Sequence, residues 1–351
     1  MRWIAAVACL LAALYFVLQE RSAPEVRAPA PTIMAAQPAS TPDIATPAPA
    51  TLPSLPKLTS GFCEPPNEKQ SPIKRTATEV QALNRVFSVL HTPAFASAAP
   101  LLDAYLAAHT DDLRMSRLRA RLRAQIDVQD GFALHTLQGV ALAYPPDAIS
   151  AGDAWNLVGT ITDALNDAAQ LTGTVRRETL FAIAYRDRSE LLAVTCVQAW
   201  AIGVYDGSLR VTLDTLQKDR ELRHEAMHAQ LGPLVHNAPR WWDEGVAQYF
   251  EGRGTLRWNE GLALMVRNKT YIPFKSLEGT FSAFEGNEDA ALAYDQSHAM
   301  VQLLVERQGE SVIARAVEFL RSEKKGSLLT ALDPELKEAD MLAMLERRRP
   351  R

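Results

Sequence analysis

Two short stretches of this chain hold residues whose types and spacing can do chemistry. The first is His224-Glu225-Ala226-Met227-His228. On a helix, side chains four apart share a face, so the two imidazoles point at one place and can share a metal ion. Imidazole nitrogens suit zinc (Zn2+), and Glu225 stands where a carboxylate can take a proton from an activated water. The second stretch is Arg240-Trp241-Trp242-Asp243-Glu244-Gly245-Val246-Ala247-Gln248-Tyr249-Phe250. A catalytic zinc site takes three protein ligands and keeps a fourth position open, and Glu244 can be the third ligand. Gly232-Pro233 breaks the first helix, and Pro239 suits the start of a second. That second helix is expected from about Pro239 to Glu251, ending at Gly252 or Gly254. Two helices joined by such a turn can cross and return Glu244 to the histidine pair. With 7 histidines in 351 residues, a chance H-E-x-x-H has a probability on the order of one in a hundred, which argues against two unrelated surface histidines. His236, a little further on, reads as a loop histidine.

The metzincin continuation requires Gly and His at positions that are Leu231 and Leu234 here, so it fails. Instead, the H-E-x-x-H followed by Trp-x-x-Glu-Gly-x-Ala-x-Tyr resembles the gluzincin metallopeptidases, which include thermolysin and aminopeptidase N, and in particular the bacterial peptidase-MA-like proteins. The resemblance covers roughly residues 130 to 320. It implies zinc-dependent hydrolysis of a polypeptide substrate, with His224, His228 and Glu244 on the metal and Glu225 as general base. It also implies a Tyr or His beyond the third ligand that stabilises the oxyanion, for which Tyr294 and His298, one turn apart, both stand in a matching region. Asp243 occupies a place where relatives often have Asn. Gln248 falls where thermolysin-like enzymes carry an Asp that orients a ligand histidine, so both are expected around the ligands rather than on the metal. The Gly-x-Met-Glu-Asn motif by which aminopeptidase N relatives hold a free amino terminus is absent, which favours an endopeptidase. The alternative is a zinc-containing scaffold or assembly protein of the cell envelope without catalysis. An intact Glu225 speaks against it, because a structural site needs no base.

These residues need elements to position them. Hydrophobic residues make up 47% and charged ones 22%, which suits a globular core, and the net charge of -4 provides no basic field for nucleic acid. The expected fold is α+β: a zincin-like domain with a small mixed sheet, an edge strand, the H-E-x-x-H helix and a helical C-terminal part, preceded by a small helical module. Four regions follow from composition: an apolar leader at 1–21, a Pro/Ala-rich stalk at 22–75, a helical module at 76–130 and the catalytic domain at 131–351. Trp3 to Leu18 are uninterrupted apolar residues after Arg2. They read as a signal anchor or a cleaved signal peptide, which would put the domain in the periplasm, membrane-held or free. Cys9 lies within that run. Cys63 and Cys196 are expected to pair in an oxidising compartment or to remain two buried thiols.

Periodicity supplies the rest. Val80, Leu83, Val86, Phe87 and Leu90 share a helical face; further helices open at Pro100 and after Asp112, and the arginines of the last read as a solvated face. First strands are expected within 132–143. Asp153 to Leu171 is an amphipathic helix with Trp155, Val158, Ile161, Leu165 and Ala168 on its apolar side and Gly173 as its stop. Thr179 to Tyr185 reads as a buried strand, and Ala201–Tyr205 with Ser208–Leu213 as a hairpin turned at Asp206-Gly207. Asp214 or Thr215 is expected to cap the H-E-x-x-H helix. Residues 199–206 are either an ordinary hairpin strand or the edge to which a gluzincin substrate adds. An irregular stretch to about Gly286 precedes helices at Ala290 to Gln308, Ser311 to Arg321 and around Leu342 and Leu345.

Overall fold

The computed structural model describes residues 75–350, apart from 176–177, 196–202, 214–218, 236–237, 279–286 and 323–325. The apolar leader, residues 22–74 of the stalk, Cys63, Cys196, residues 199–202 of the expected edge strand, His236 and the expected cap at Asp214 or Thr215 lie outside the described residues. Among the described residues, no helix is long and apolar enough to cross a membrane.

The described part is mixed and mostly helical. Three helices come first: α1 (Ala77–Val89), α2 (Ala98–Ala108) and α3 (Leu113–Val128). Thr76 and Glu79 cap α1 reciprocally, and Asp112 caps α3 through the Met115 N–H. The hairpin of β1 (Ala133–Leu137) and β2 (Val140–Tyr144) follows, then the long helix α4 (Ala151–Thr172), whose end at Gly173 is left-handed. Next come β3 (Leu180–Tyr185), the short α5 (Arg188–Val194), and the hairpin of β4 (Gly203–Tyr205) and β5 (Leu209–Thr212). The five strands lie in the order β1-β2-β3-β5-β4. β2, β3 and β5 are parallel neighbours, and β1 and β4 run antiparallel at the two edges.

Both faces of the central strands are buried, which is why β2 and β3 read as continuous apolar runs rather than alternating ones. Val140, Leu142, Leu180, Ala182, Leu209 and Val211 face α4 and the helix that carries His224. Ala141, Ala143, Phe181, Ile183 and Tyr185 face the other way and share a core with α1, α2, α3 and α5. The N-terminal helices are therefore part of the sheet's packing rather than a module standing apart. They also hold the turn of the β4–β5 hairpin. Arg121 of α3 pairs with Asp206 and donates to the Val194 carbonyl at 2.8 Å, and His91 lies 3.2 Å from the Ser208 hydroxyl. Arg210, fully buried, donates to Tyr185, Gln125 and Asp206. One arginine of the expected solvated face of α3 thus reaches the β4–β5 turn, while Arg119 and Arg123 pair with Asp103 and Asp127.

Some expected core positions face solvent. Trp155 is exposed and stacks on His135 of edge strand β1 with ring centroids 4.6 Å apart; Val80 and Phe87 are exposed on α1, which buries only Leu83 and Val86. A single-face pattern read from sequence overestimates how wide the covered stripe is when a helix packs at an edge.

The C-terminal part is all helical: α6 (Asp219–Leu231), α7 (Arg240–Glu251), α8 (Glu260–Asn268), α9 (Asn287–Gln308), α10 (Ser311–Arg321), α11 (Leu328–Leu332) and α12 (Glu338–Arg348). The stretch expected to be irregular contains α8, capped by the Asn259 side chain, and a 3-10 turn at Phe274–Glu278. A large core gathers Met227, Trp241, Trp242, Val246, Phe250, Met300 and Leu304.

Candidate metal centre

Four elements meet at the centre. Helix α6 presents His224, Glu225 and His228; Gly232 ends it, and the chain returns in α7, which presents Glu244. Helix α9 crosses α7 at Gly245, where an added Cβ would overlap the Ser297 carbonyl oxygen and lie 2.8 Å from Val301 Cγ2. The glycine after the glutamate is what lets the two helix backbones approach so closely. That contact sets Tyr294 and His298 of α9 around the site. On the fourth side, edge strand β4 lies against α6, and a Cβ at Gly203 would come within 3.0 Å of Glu225 Cγ.

The ligand atoms converge. His224 Nε2 and His228 Nε2 are 3.1 Å apart, and Glu244 Oε2 is 3.3 Å from the first and 3.5 Å from the second. Four ligands around zinc at 2.0–2.1 Å sit about 3.3 Å from one another, so this triangle has the size that a tetrahedral ion requires. The imidazoles are turned the right way because their other nitrogens are occupied. His228 Nδ1 is 3.0 Å from Asp243 Oδ1, and His224 Nδ1 is 2.9 Å from Glu251 Oε2. Glu244 is 2% exposed, and its Oε2 has no hydrogen-bond partner while directed at both histidines. A buried carboxylate oxygen left in that condition calls for a cation. On these grounds the residues fit a metal, and His224, His228 and Glu244 form the group that could hold it.

Electrostatics agree. Burial works against charge on His224, but the carboxylates of Glu244 and Glu251 outweigh it and raise its pKa to about 9. His228 is likewise raised well above the ordinary histidine value, against burial, by Asp243 and Glu244. Burial favours a neutral Glu244, yet the two histidines hold it well below the usual carboxylate range. The pocket is built to stabilise positive charge between these groups. Glu225 differs: burial, with Glu244 nearby, pushes its pKa up despite the histidines and a hydrogen bond from the Tyr205 backbone. A carboxylate with a raised pKa beside a metal site is suited to accept a proton.

Tyr294 and His298 have different surroundings. Tyr294 interacts with Glu244, Arg240 and Glu225, and accepts a hydrogen bond from Arg240. His298 lies nearer Glu251, Arg220 and His224, is almost fully buried, and has no partner for Nε2. The glutamine expected to orient a ligand histidine does not do so: the partner of His224 Nδ1 is Glu251, not Gln248. A carboxylate two turns beyond Glu244 falls on the same face as one a single turn beyond it, and only the longer reach matches the crossing of α6. Arg240, one turn before Glu244, also escaped the reading of the sequence. It pairs with Glu244 Oε1 and lies 3.0 Å from Asp243 Oδ2. Both residues were visible as same-face neighbours of Glu244 at i+7 and i−4.

This combination of a five-stranded sheet with antiparallel edges, an H-E-x-x-H helix and a glutamate on the next helix is consistent with the zincin-like class. Residues 160–330 match the family model of the peptidase MA superfamily, and this match supports a gluzincin-like metallopeptidase family for that region. The match starts within α4 and contains α6, α7 and α9. No curated protein matches the chain.

Proposed function

We propose that the protein is a zinc-dependent endopeptidase acting at the cell envelope. The observation that carries the reading is the triangle of His224 Nε2, His228 Nε2 and Glu244 Oε2, with Glu225 between it and an edge strand. Zinc bound there would supply a Lewis acid that polarises the scissile carbonyl and acidifies water. The chain's own residues do the rest. The outer edge of β4 receives the substrate backbone as an added strand, and Gly203 lets β4 itself pack closely against the Glu225 side chain. Glu225 takes the proton of the attacking water and passes it to the leaving amine. Tyr294 donates to the developing oxyanion, since it, rather than His298, neighbours Glu225 and Glu244. His298 supports the far side of the Glu251–His224 pair.

Cleavage of casein or a peptide library tests this. Glu225→Gln should retain one zinc per chain and lose turnover by several orders of magnitude. Wild-type turnover in that variant would remove the mechanism, and zinc binding by a wild type that cleaves nothing would favour an envelope scaffold. The location is argued from residues 3–18 and the stalk. Full-length chain recovered soluble from the cytoplasm would contradict it. In an oxidising compartment Cys63 and Cys196 are proposed to pair, closing a loop of about 130 residues worth roughly 4 to 5 kcal/mol if unstrained. Non-reducing peptide mapping that finds two free thiols there would reject the bridge.

A further inference from the structure

Arg240 opens α7 one turn before Glu244, on the same face. Its guanidinium serves three groups. One nitrogen pairs with Glu244 Oε1, another lies 3.0 Å from Asp243 Oδ2, and it donates to the Tyr294 hydroxyl. The Glu244 carboxylate is thereby divided between two tasks. Oε1 is committed to Arg240, while Oε2 has no hydrogen-bond partner and faces the two histidine nitrogens at 3.3 and 3.5 Å. A carboxylate can hold a metal through one oxygen or through both. Here only one is available.

We propose that Arg240 is a positioning residue that restricts Glu244 to a one-oxygen ligand and, through the same guanidinium, fixes Asp243 and Tyr294 relative to it. The inference rests on the metallopeptidase reading and goes beyond it, because it assigns control of the open coordination position to a residue outside the ligand triangle. If Glu244 turned both oxygens inward, the second would occupy the place the reaction needs. Asp243 in turn orients His228, so a single cation ties the third ligand, the partner of the second ligand and the oxyanion donor into one rigid set. Arginine suits this role because its planar fork presents several donors at fixed angles. Lysine would bring the charge without the fork.

The test uses the full chain, loaded with Co2+ in place of zinc, as wild type, Arg240→Gln and Arg240→Lys. Visible absorption reports cobalt coordination number, four-coordinate sites absorbing more intensely than five-coordinate ones. Chelator competition reports metal affinity, and thermal unfolding shows which variants fold. The wild type should show the intense four-coordinate bands. Arg240→Gln should show weaker bands, a 10- to 100-fold loss of metal affinity, and a fall in kcat with little change in KM, because Tyr294 acts in the transition state. Arg240→Lys should recover affinity in part without restoring the spectrum, and it decides the matter alone if Arg240→Gln does not fold. A folded variant with wild-type spectrum and affinity would overturn the inference and leave Arg240 an ordinary ion-pair residue. Failure of the underlying reading would appear separately, as a wild type that takes up no metal.

Discussion

Replacing Gly245 by alanine sets two effects of opposite sign against each other. Alanine in place of glycine inside a helix stabilises it by about 1 kcal/mol. At this position the new Cβ would overlap the Ser297 carbonyl oxygen, lie 2.9 Å from the Ser297 carbonyl carbon and 2.8 Å from Val301 Cγ2. Two of those atoms are helix backbone and cannot step aside alone, so α9 must move as a unit. Overpacking of this kind costs about 1–3 kcal/mol, and a backbone collision belongs at the upper end. The net expectation is a loss of roughly 2 kcal/mol. Urea unfolding followed by circular dichroism, with metal chelated so that ligand binding does not contribute, should show a lower midpoint at unchanged slope. Tyr294 lies one turn before Ser297, so the same shift should displace its hydroxyl. A misplacement of about 1 Å can cost on the order of 100-fold in rate, and zinc-loaded turnover should fall accordingly. A variant more stable than the wild type, with turnover intact, would show that helix propensity acts alone and that the α7–α9 contact does not position the site.

Glu251→Gln should weaken metal affinity about 10- to 100-fold through His224, whereas Gln248→Ala should leave it unchanged; chelator competition that ranks the two the other way would remove Glu251 from the site. Burial, outweighing Glu251, pushes the pKa of His298 down to about 4 from an ordinary 6.5. The unfolded chain therefore binds more protons between those values, and the native state loses stability as pH falls from 6.5 through 4, by roughly 3 kcal/mol in total. In metal-free protein the stability difference between wild type and His298→Leu should change by that amount across the window, and a difference independent of pH would show that His298 is not buried neutral.

The convergence at the centre was legible because it rests on short spacings. His224 and His228 are four apart, α7 is flanked by Pro239 before it and Gly252 after it, and both helix limits follow from local chemistry. The β4–β5 hairpin and the end of α4 at Gly173 were legible for the same reason. What escaped was set by long-range packing. No local signal inserts β5 between β3 and β4, or lays α1, α2 and α3 on the sheet's second face. Glu251 and Arg240 lay on the right face of α7, but choosing them over Gln248 required the crossing geometry of α6 and α7. Trp155 shows the converse error: its size suggested burial, while its position on α4 leaves it stacked on His135 at the surface.

The doubly covered sheet bears on how this chain can be shortened. Similarity to the superfamily begins at residue 160, yet a fragment cut there would lack β1, β2 and the first part of α4. It would bare Phe181, Ile183 and Tyr185, deprive Arg210 of Gln125, and turn β3 from an interior strand into an open apolar edge. Such an edge templates association between copies. A recombinant piece bounded by the region of similarity should therefore collect in inclusion bodies even though every chemical group of the site is present, whereas one that begins at Arg75 keeps β2 on the edge of β3 and the helices over its face. The stretch that can be recognised in other proteins and the stretch that can survive alone in solution are different lengths of the same chain.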